Sequence, residues 1–280
     1  MSKIPQVSII IPVYNRTHPL VRALESLKKQ TFTDFEILVV DDHSEIDLKP
    51  YLEPFDLRYL KTSGKGVSAA RNTGVRAAKS NLIAFLDSDD EWLPTKLEKQ
   101  INYLSINSSI SIVHTNEVWI REQKVIKQNS KQQKLGGRLF AEFTKQCLIA
   151  SSSVLIRKSL FNQVGLFDES FPVCEDFDLW LRIAASYEIG FLEEELIIKH
   201  GGHEDQLSMK FHSMDLWRAR ALVKHLNNPD LTLIQQTALL ESIKTKCEIL
   251  LKGFQKHQNF ENIHEVELYL ERCAGTVIAK

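Results

Sequence analysis

The chain has 280 residues, 43% of them hydrophobic, enough for one large α/β domain with an appendage or for two small domains. Lysine and arginine number 35 and aspartate and glutamate 36, a formal net charge of -1, so no overall field draws the chain to nucleic acid. No stretch approaches the ~18 continuous apolar residues of a membrane-spanning helix. The start, M-S-K-I-P-Q, lacks the long apolar core of a signal peptide. Cys147, Cys174, Cys247 and Cys273 are far apart and form no C-x-x-C pair, so reduced thiols in a cytosolic protein are expected.

Val7 to Val13, V-S-I-I-I-P-V, is nearly continuous in apolarity and suits a central parallel strand buried on both faces. Pro12 cannot donate to a ladder, so the strand should finish about there, before a loop at Tyr14, Asn15 and Arg16. Leu20, Val21, Leu24 and Leu27 form a helical stripe between Leu20 and Gln30. Phe35 to Val40 reads as the second strand and runs directly into Asp41-Asp42-His43-Ser44. Leu57 to Leu60 is a short third strand. The loop S-G-K-G follows from Ser63, with Gly64 and Gly66 giving backbone freedom near a ligand. Val67 to Ala78 reads as a small-residue helix carrying Arg71 and Asn72 early in its length.

The next strand, Leu82 to Leu86, ends in Asp87, Asp89 and Asp90. Ligands of open α/β sheets bind outside the carboxyl ends of the strands. In an extended chain Asp87 and Asp89 would point the same way and could share a hard divalent cation with substrate phosphates. Without a ligand the same acids are a solvated turn before a helix near Pro94. Strands alternating with helices predict a parallel, doubly wound sheet.

Lys96 to Leu104 continues as a helix, and Ile110 to His114 and Glu117 to Arg121 read as strands. The polar stretch Glu122 to Gly137 is expected as a loop or mobile hairpin, Ala150 to Ile156 as a strand and Lys158 to Val164 as a short helix. Glu175 and Asp176 begin an amphipathic helix whose buried face includes Phe177, Trp180, Leu181 and Ala184. Its dipole favours acids there by about 0.3–1 kcal/mol, a sufficient structural reason for the pair on local grounds alone. Past Met209, apolar stripes predict two helices separated at Asn227-Asn228-Pro229 and a third from Asn262 to Ala274. They are expected to pack on one another or on the main domain; a dimer interface or a membrane surface are the other uses.

Five stretches in order resemble the inverting nucleotide-sugar glycosyltransferases of family 2, which have the GT-A fold. They are S-I-I-I-P-V-Y-N-R (Ser8 to Arg16), L-V-V-D-D-H-S (Leu38 to Ser44), S-A-A-R-N-T-G (Ser68 to Gly74), A-F-L-D-S-D-D-E-W-L-P (Ala84 to Pro94) and E-D-F-D-L-W-L-R (Glu175 to Arg182). The resemblance spans roughly residues 5 to 208. It implies a Rossmann-like, mostly parallel sheet flanked by helices over 1–208 and a helical extension over 209–280. Pro12, Tyr14 and Asn15 would line the nucleotide pocket. Asp42, with Asp41, would receive the base, and Arg71 would lie alongside. Asp87 would face ribose or metal. Asp89 would bind the Mn²⁺ or Mg²⁺ that bridges the diphosphate, and Asp176 would be the general base, with Glu175 in support. His200 would complete the metal shell or hold phosphate, beside Lys199, with His203 as a second candidate; two histidines in a glycine loop are otherwise a solvated turn.

The implied reaction moves a sugar, on family frequency from a UDP-sugar, to a hydroxyl of a glycan, lipid-linked or other acceptor, in the cytoplasm or at the inner face of a membrane. One rival is a nucleotidyltransferase, although the glycine-rich N-terminal loop expected there is replaced by P-V-Y-N-R. The other is a catalytically inactive nucleotide-sugar or glycan-binding module.

Overall fold

A computed structural model describes residues 3–127, 133–202, 211 and 213–276. Four parallel strands form one half of the sheet: β1 (Val7–Val13), β2 (Phe35–Asp41), β3 (Arg58–Lys61) and β4 (Leu82–Phe85), in spatial order β3-β2-β1-β4. Every β1 residue is buried, as an apolar run between two strands and two helix layers demands. Pro12 stays inside the strand, which ends one residue later. The crossovers are α1 (His18–Lys28), the short α2 (Lys49–Leu52) and α3 (Val67–Ala77). Gly74 lets α3 lie directly on β1: a Cβ there would sit 2.4 Å from Ile10 Cγ2. Val13 is in register with Asp41, and Ile10 with Phe85, so the strands deliver their C-terminal loops to one edge.

Beyond β4 the sheet is mixed. β8 (Leu155–Arg157) runs antiparallel to β4, β6 (Ile112–Arg121) antiparallel to β8, and β9 (Gly190–His200) parallel to β6. The two strands expected between Ile110 and Arg121 are one, because the interruption at Asn116 is a bulge in the pairing with β9. The strand expected from Ala150 is half as long, since Ser151–Ser153 turn as a 3₁₀ helix before Leu155. Glu91 and Trp92 form a two-residue strand, β5, antiparallel to β9. α4 (Lys96–Ile106) follows. β7 (Lys124–Ile126) returns along β6, with Glu122 and Gln123 both at positive φ as a two-residue hairpin turn needs. The rest of that polar stretch includes 128–132, outside the described residues.

The remaining helices are α5 (Phe140–Phe143), α6 (Leu160–Val164), α7 (Glu175–Ser186), α8 (Met214–Val223), α9 (Leu233–His257) and α10 (Ile263–Gly275). A capping box between Thr232 and Gln235 starts α9. Leu216, Leu222, Leu239, Ile243, Leu250 and Val266 share one apolar core with Phe143, Phe177, Trp180 and Phe85. The C-terminal stripes therefore pack inward on the sheet domain. The boundary drawn at 208/209 falls among residues outside the described set. The four cysteines are free thiols, and among the described residues no helix is long and apolar enough to cross a membrane.

Candidate active site

At the C-terminal edge of β1, β2 and β4 lies a cavity of about 950 Å³. The starts of α3 and α7 and the end of β9 close its sides. Of the residues singled out from sequence, Pro12, Tyr14, Asn15, Asp42, Arg71, Asp87, Asp89, Glu175, Asp176, Lys199 and His200 all line it. His203 lies outside the described residues.

Asp41 does not belong to this wall. Adjacent residues of a strand point to opposite faces, and Asp41 is fully buried on the other one. Its Oδ1 accepts from the Ser44 amide at 2.8 Å and its Oδ2 from the Tyr59 hydroxyl at 2.5 Å. It is a turn-holding acid. Asp42 faces the cavity and clamps the glycine loop, accepting from Thr62 Oγ1 at 2.6 Å, the Lys65 amide at 3.1 Å and the Gly66 amide at 2.8 Å. Gly66 has φ +92°, a conformation that side chains rarely adopt. Asn15, at φ 50°, joins the first loop to the second: its amide donates to Ser44 Oγ at 2.9 Å and its Oδ1 accepts from the Glu45 amide at 2.8 Å.

The acids after β4 form a turn, with the Asp90 amide on the Asp87 carbonyl at 3.0 Å, and not the extended chain expected. Asp87, Asp89 and Asp90 nonetheless all reach the cavity, and each has a cation. Asp87 Oδ1 lies 2.7 Å from Arg71 Nη2, Asp89 Oδ2 2.8 Å from Arg16 Nη1, and Asp90 Oδ2 4.0 Å from Lys199 Nζ. Burial works against ionising Asp87, but Arg71, Lys199 and Arg16 hold its carboxyl below the usual range. Burial pushes Asp90 up to about 7; Lys199 opposes this, and Asp89 and Asp87 reinforce it. Lys199 is desolvated, yet Asp90, Glu117, Asp87 and Asp89 keep it charged well above the ordinary lysine range.

Ser152, which sequence reasoning missed, organises this turn. Its hydroxyl donates to Asp90 Oδ2 at 2.6 Å and accepts from the Asp87 amide at 3.0 Å. Only the fold brings the 3₁₀ serines beside the acids, so no local signal marked it.

Three carboxylates at the start of α7 are sorted by their partners. Asp178 is fully buried and pairs with Arg182 at 2.9 Å and Lys224 at 2.5 Å, away from the cavity. Glu175 is buried with Oε1 2.5 Å from Arg71 Nη1, and burial, with Asp176 adding to it against Arg71, pushes it up to about 7. Asp176 is half-buried on the cavity wall; its Oδ1 accepts from its own helix at the Phe177 amide, 2.7 Å. The Cys147 thiol, another group that sequence did not mark, stands 3.9 Å from Asp176 Oδ2. Arg71 thus spans the site, joining Asp87 after β4 to Glu175, the neighbour of Asp176.

No group of three or more His, Cys, Asp or Glu among the described residues could cage a metal. His200 Nε2 lies 2.7 Å from Glu91 Oε1, turned to that carboxylate. The donor set still fits Mn²⁺ or Mg²⁺ of the shared kind: one or two carboxylates, here Asp89 with Asp87 nearby, and the other positions filled by phosphate oxygens and water.

Comparison with known proteins settles the family. The profile described as Glycosyl transferase family 2 matches residues 8–165, more than half of the chain. The chain belongs to glycosyltransferase family 2. An uncharacterized glycosyltransferase of Rickettsia felis is 32% identical over 217 residues, 74% of this chain but 36% of that protein. The Escherichia coli UDP-Glc:alpha-D-GlcNAc-diphosphoundecaprenol beta-1,3-glucosyltransferase WfgD is 36% identical over 181 residues, 63% of this chain and 69% of its own length. Among solved structures, S. aureus TarS 1-349 in complex with UDP-GlcNAc aligns with a TM-score of 0.67 at 19% identity, covering 89% of this chain and 73% of that one. The fold is GT-A, and the mixed half of the sheet is part of it. The chain spans about a third of the Rickettsia felis relative, so its activity is argued from the site.

Proposed function

We propose that the chain transfers a sugar from a nucleotide-diphosphate donor, a UDP-sugar, to an acceptor hydroxyl with inversion. Asp176 carries this reading: it is the carboxylate on the α7 side of the cavity that stays half-open, while the buried carboxylates Glu175 and Asp178 are taken up by Arg71 and by Arg182 with Lys224. Tyr14, Asn15 and Asp42 would border the base and ribose. Lys199 would face the diphosphate, whose negative charge grows as the bond to the anomeric carbon breaks. The acceptor oxygen attacks from the opposite face, and its proton passes to Asp176 as the new bond forms. No covalent sugar-enzyme intermediate is required. Asp89, with Asp87, would hold Mn²⁺ or Mg²⁺, which when bound supplies Lewis-acid stabilisation to the leaving group.

UDP as the nucleotide is supported by the TarS complexes with UDP-GlcNAc and with UDP and by the donor in WfgD's name. WfgD's named acceptor is a diphosphoundecaprenol-linked sugar; work on such a lipid would bring this chain to a membrane surface. We take 1–208 as the catalytic unit and 209–280 as its helical extension, whose Met214 reaches the cavity. The test is mass spectrometry of the nucleotide released from a panel of sugar nucleotides with Mn²⁺. Release of UDP supports transfer. Pyrophosphate would mean nucleotidyl transfer, and saturable binding without turnover an inactive module.

A further inference from the structure

We propose that Glu91 is a positioning residue for the divalent cation: it holds His200 through Nε2 and so leaves Nδ1, with its lone pair, as the ring nitrogen for a cation carried by Asp89. This rests on the nucleotide-sugar and cation reading above. His200 Nε2 lies 2.7 Å from Glu91 Oε1, and the two side chains are 21% and 22% exposed. His200 lines the cavity, and Glu91 stands behind it, outside that lining.

The strands dictate this pair. Glu91 is opposite Ile198 in the antiparallel ladder of β5 and β9, so His200, two residues further along β9, is its diagonal neighbour on the same face. The backbone of His200 is fixed by its pairing with Ile120 of β6, and the Gly201 amide donates to the Ile120 carbonyl at 3.0 Å. Glu91 is anchored from α1. Arg22 Nε is 3.3 Å from the same Oε1, without hydrogen-bond alignment, and Arg22 Nη2 donates to the Asp89 carbonyl at 2.7 Å. One arginine thus ties Glu91 to the backbone of the acid turn.

The chemistry of the pair fixes the tautomer. A carboxylate only accepts, so the nitrogen facing Glu91 carries the proton. In the neutral ring the other nitrogen can then only accept, which suits a metal ion and not a phosphate oxygen. A carboxylate behind a histidine is the arrangement that orients metal-binding imidazoles and raises their basicity. Two protein donors, Asp89 and His200, with phosphate oxygens and water in the other positions, keep the set an open one.

Free Mn²⁺ can be followed by electron paramagnetic resonance at saturating UDP for wild type, Glu91→Ala, Glu91→Gln, His200→Ala and the double variant Glu91→Ala, His200→Ala. Loss of a residue that orients a metal ligand lowers affinity about 10–100-fold, so Glu91→Ala should bind Mn²⁺ about tenfold or more weakly. Glu91→Gln, which keeps a neutral acceptor, should fall between, and carries the test if the alanine variant does not fold. His200→Ala should lose at least as much, and the double variant no more than His200→Ala, because Glu91 acts through His200. UDP binding in EDTA should be the same in all five. Unchanged Mn²⁺ binding in the folded Glu91 variants, or losses that add in the double variant, overturns the role of Glu91 while leaving the cation reading intact. So does a loss of UDP binding in EDTA as large as the loss of Mn²⁺ binding, which would make His200 a phosphate donor. A wild type that binds no Mn²⁺ even with UDP overturns both.

Discussion

Replacing Arg71 with methionine would strand two carboxylates at once. The guanidinium is 4% exposed and lies 2.7 Å from Asp87 and 2.5 Å from Glu175. Removing one member of a buried ion pair costs about 3–5 kcal/mol, mostly the penalty of the charge left behind. The lower end applies here, since Asp87 is 26% exposed and can recover some hydration. Urea unfolding at pH 7.5 should therefore show a loss of about 3 kcal/mol. The triple variant Arg71→Met, Asp87→Asn, Glu175→Gln should be more stable than the single one, because no buried charge is orphaned. Acidification supplies a second arm. Arg71 holds the Asp87 carboxyl low, so without it the orphaned acids take up protons more readily, and the deficit should shrink from pH 8 towards pH 5. A single variant within about 0.5 kcal/mol of wild type, the range of ordinary surface changes, would refute the reasoning. So would a deficit that grows on acidification.

Asp42→Ala should raise the donor KM more than it lowers kcat, because the contact and the loop it clamps at Gly66 persist from ground state to transition state; unchanged KM with a large fall in kcat contradicts that. His225 is buried, which lowers it from 6.5 to about 4, so the unfolded chain binds its proton first and stability falls as pH drops through that window. Wild type should lose about 2 kcal/mol at pH 5 through this residue, and His225→Leu should flatten the pH dependence of the urea midpoint between pH 7 and 5.

The parallel half of the sheet was legible because β1, β2 and β4 are nearly continuous apolar runs, each leading into acids or a loop at one edge. β9 escaped notice because Glu193, Glu194 and Glu195, an exposed stretch at a bulge in the pairing with β6, interrupt its apolar pattern. β5 is two residues long and has no periodicity to read. Sequence put Asp42 in the site but added Asp41 beside it, since neighbours on a strand differ in face and not in chemistry. Nor could it pair acids with cations: Arg71 reaches Glu175 across 104 positions, and Ser152 reaches Asp90 across 62. The α7 acids show the same division. Their helix start was visible, and their sorting into partners of Arg71, of Lys224 and of the cavity came from tertiary packing alone.

Single-turnover transfer by Asp176→Asn is the most direct test of the proposed chemistry. The amide nearly matches the carboxylate in shape, so the packing of Phe177 and Trp180 should survive and UDP-sugar should bind as in wild type. We expect sugar transfer at least ~100-fold slower, as for loss of a general base. Transfer at the wild-type rate, with Glu175→Gln slow instead, would contradict the role of Asp176 and move the base to the buried partner of Arg71.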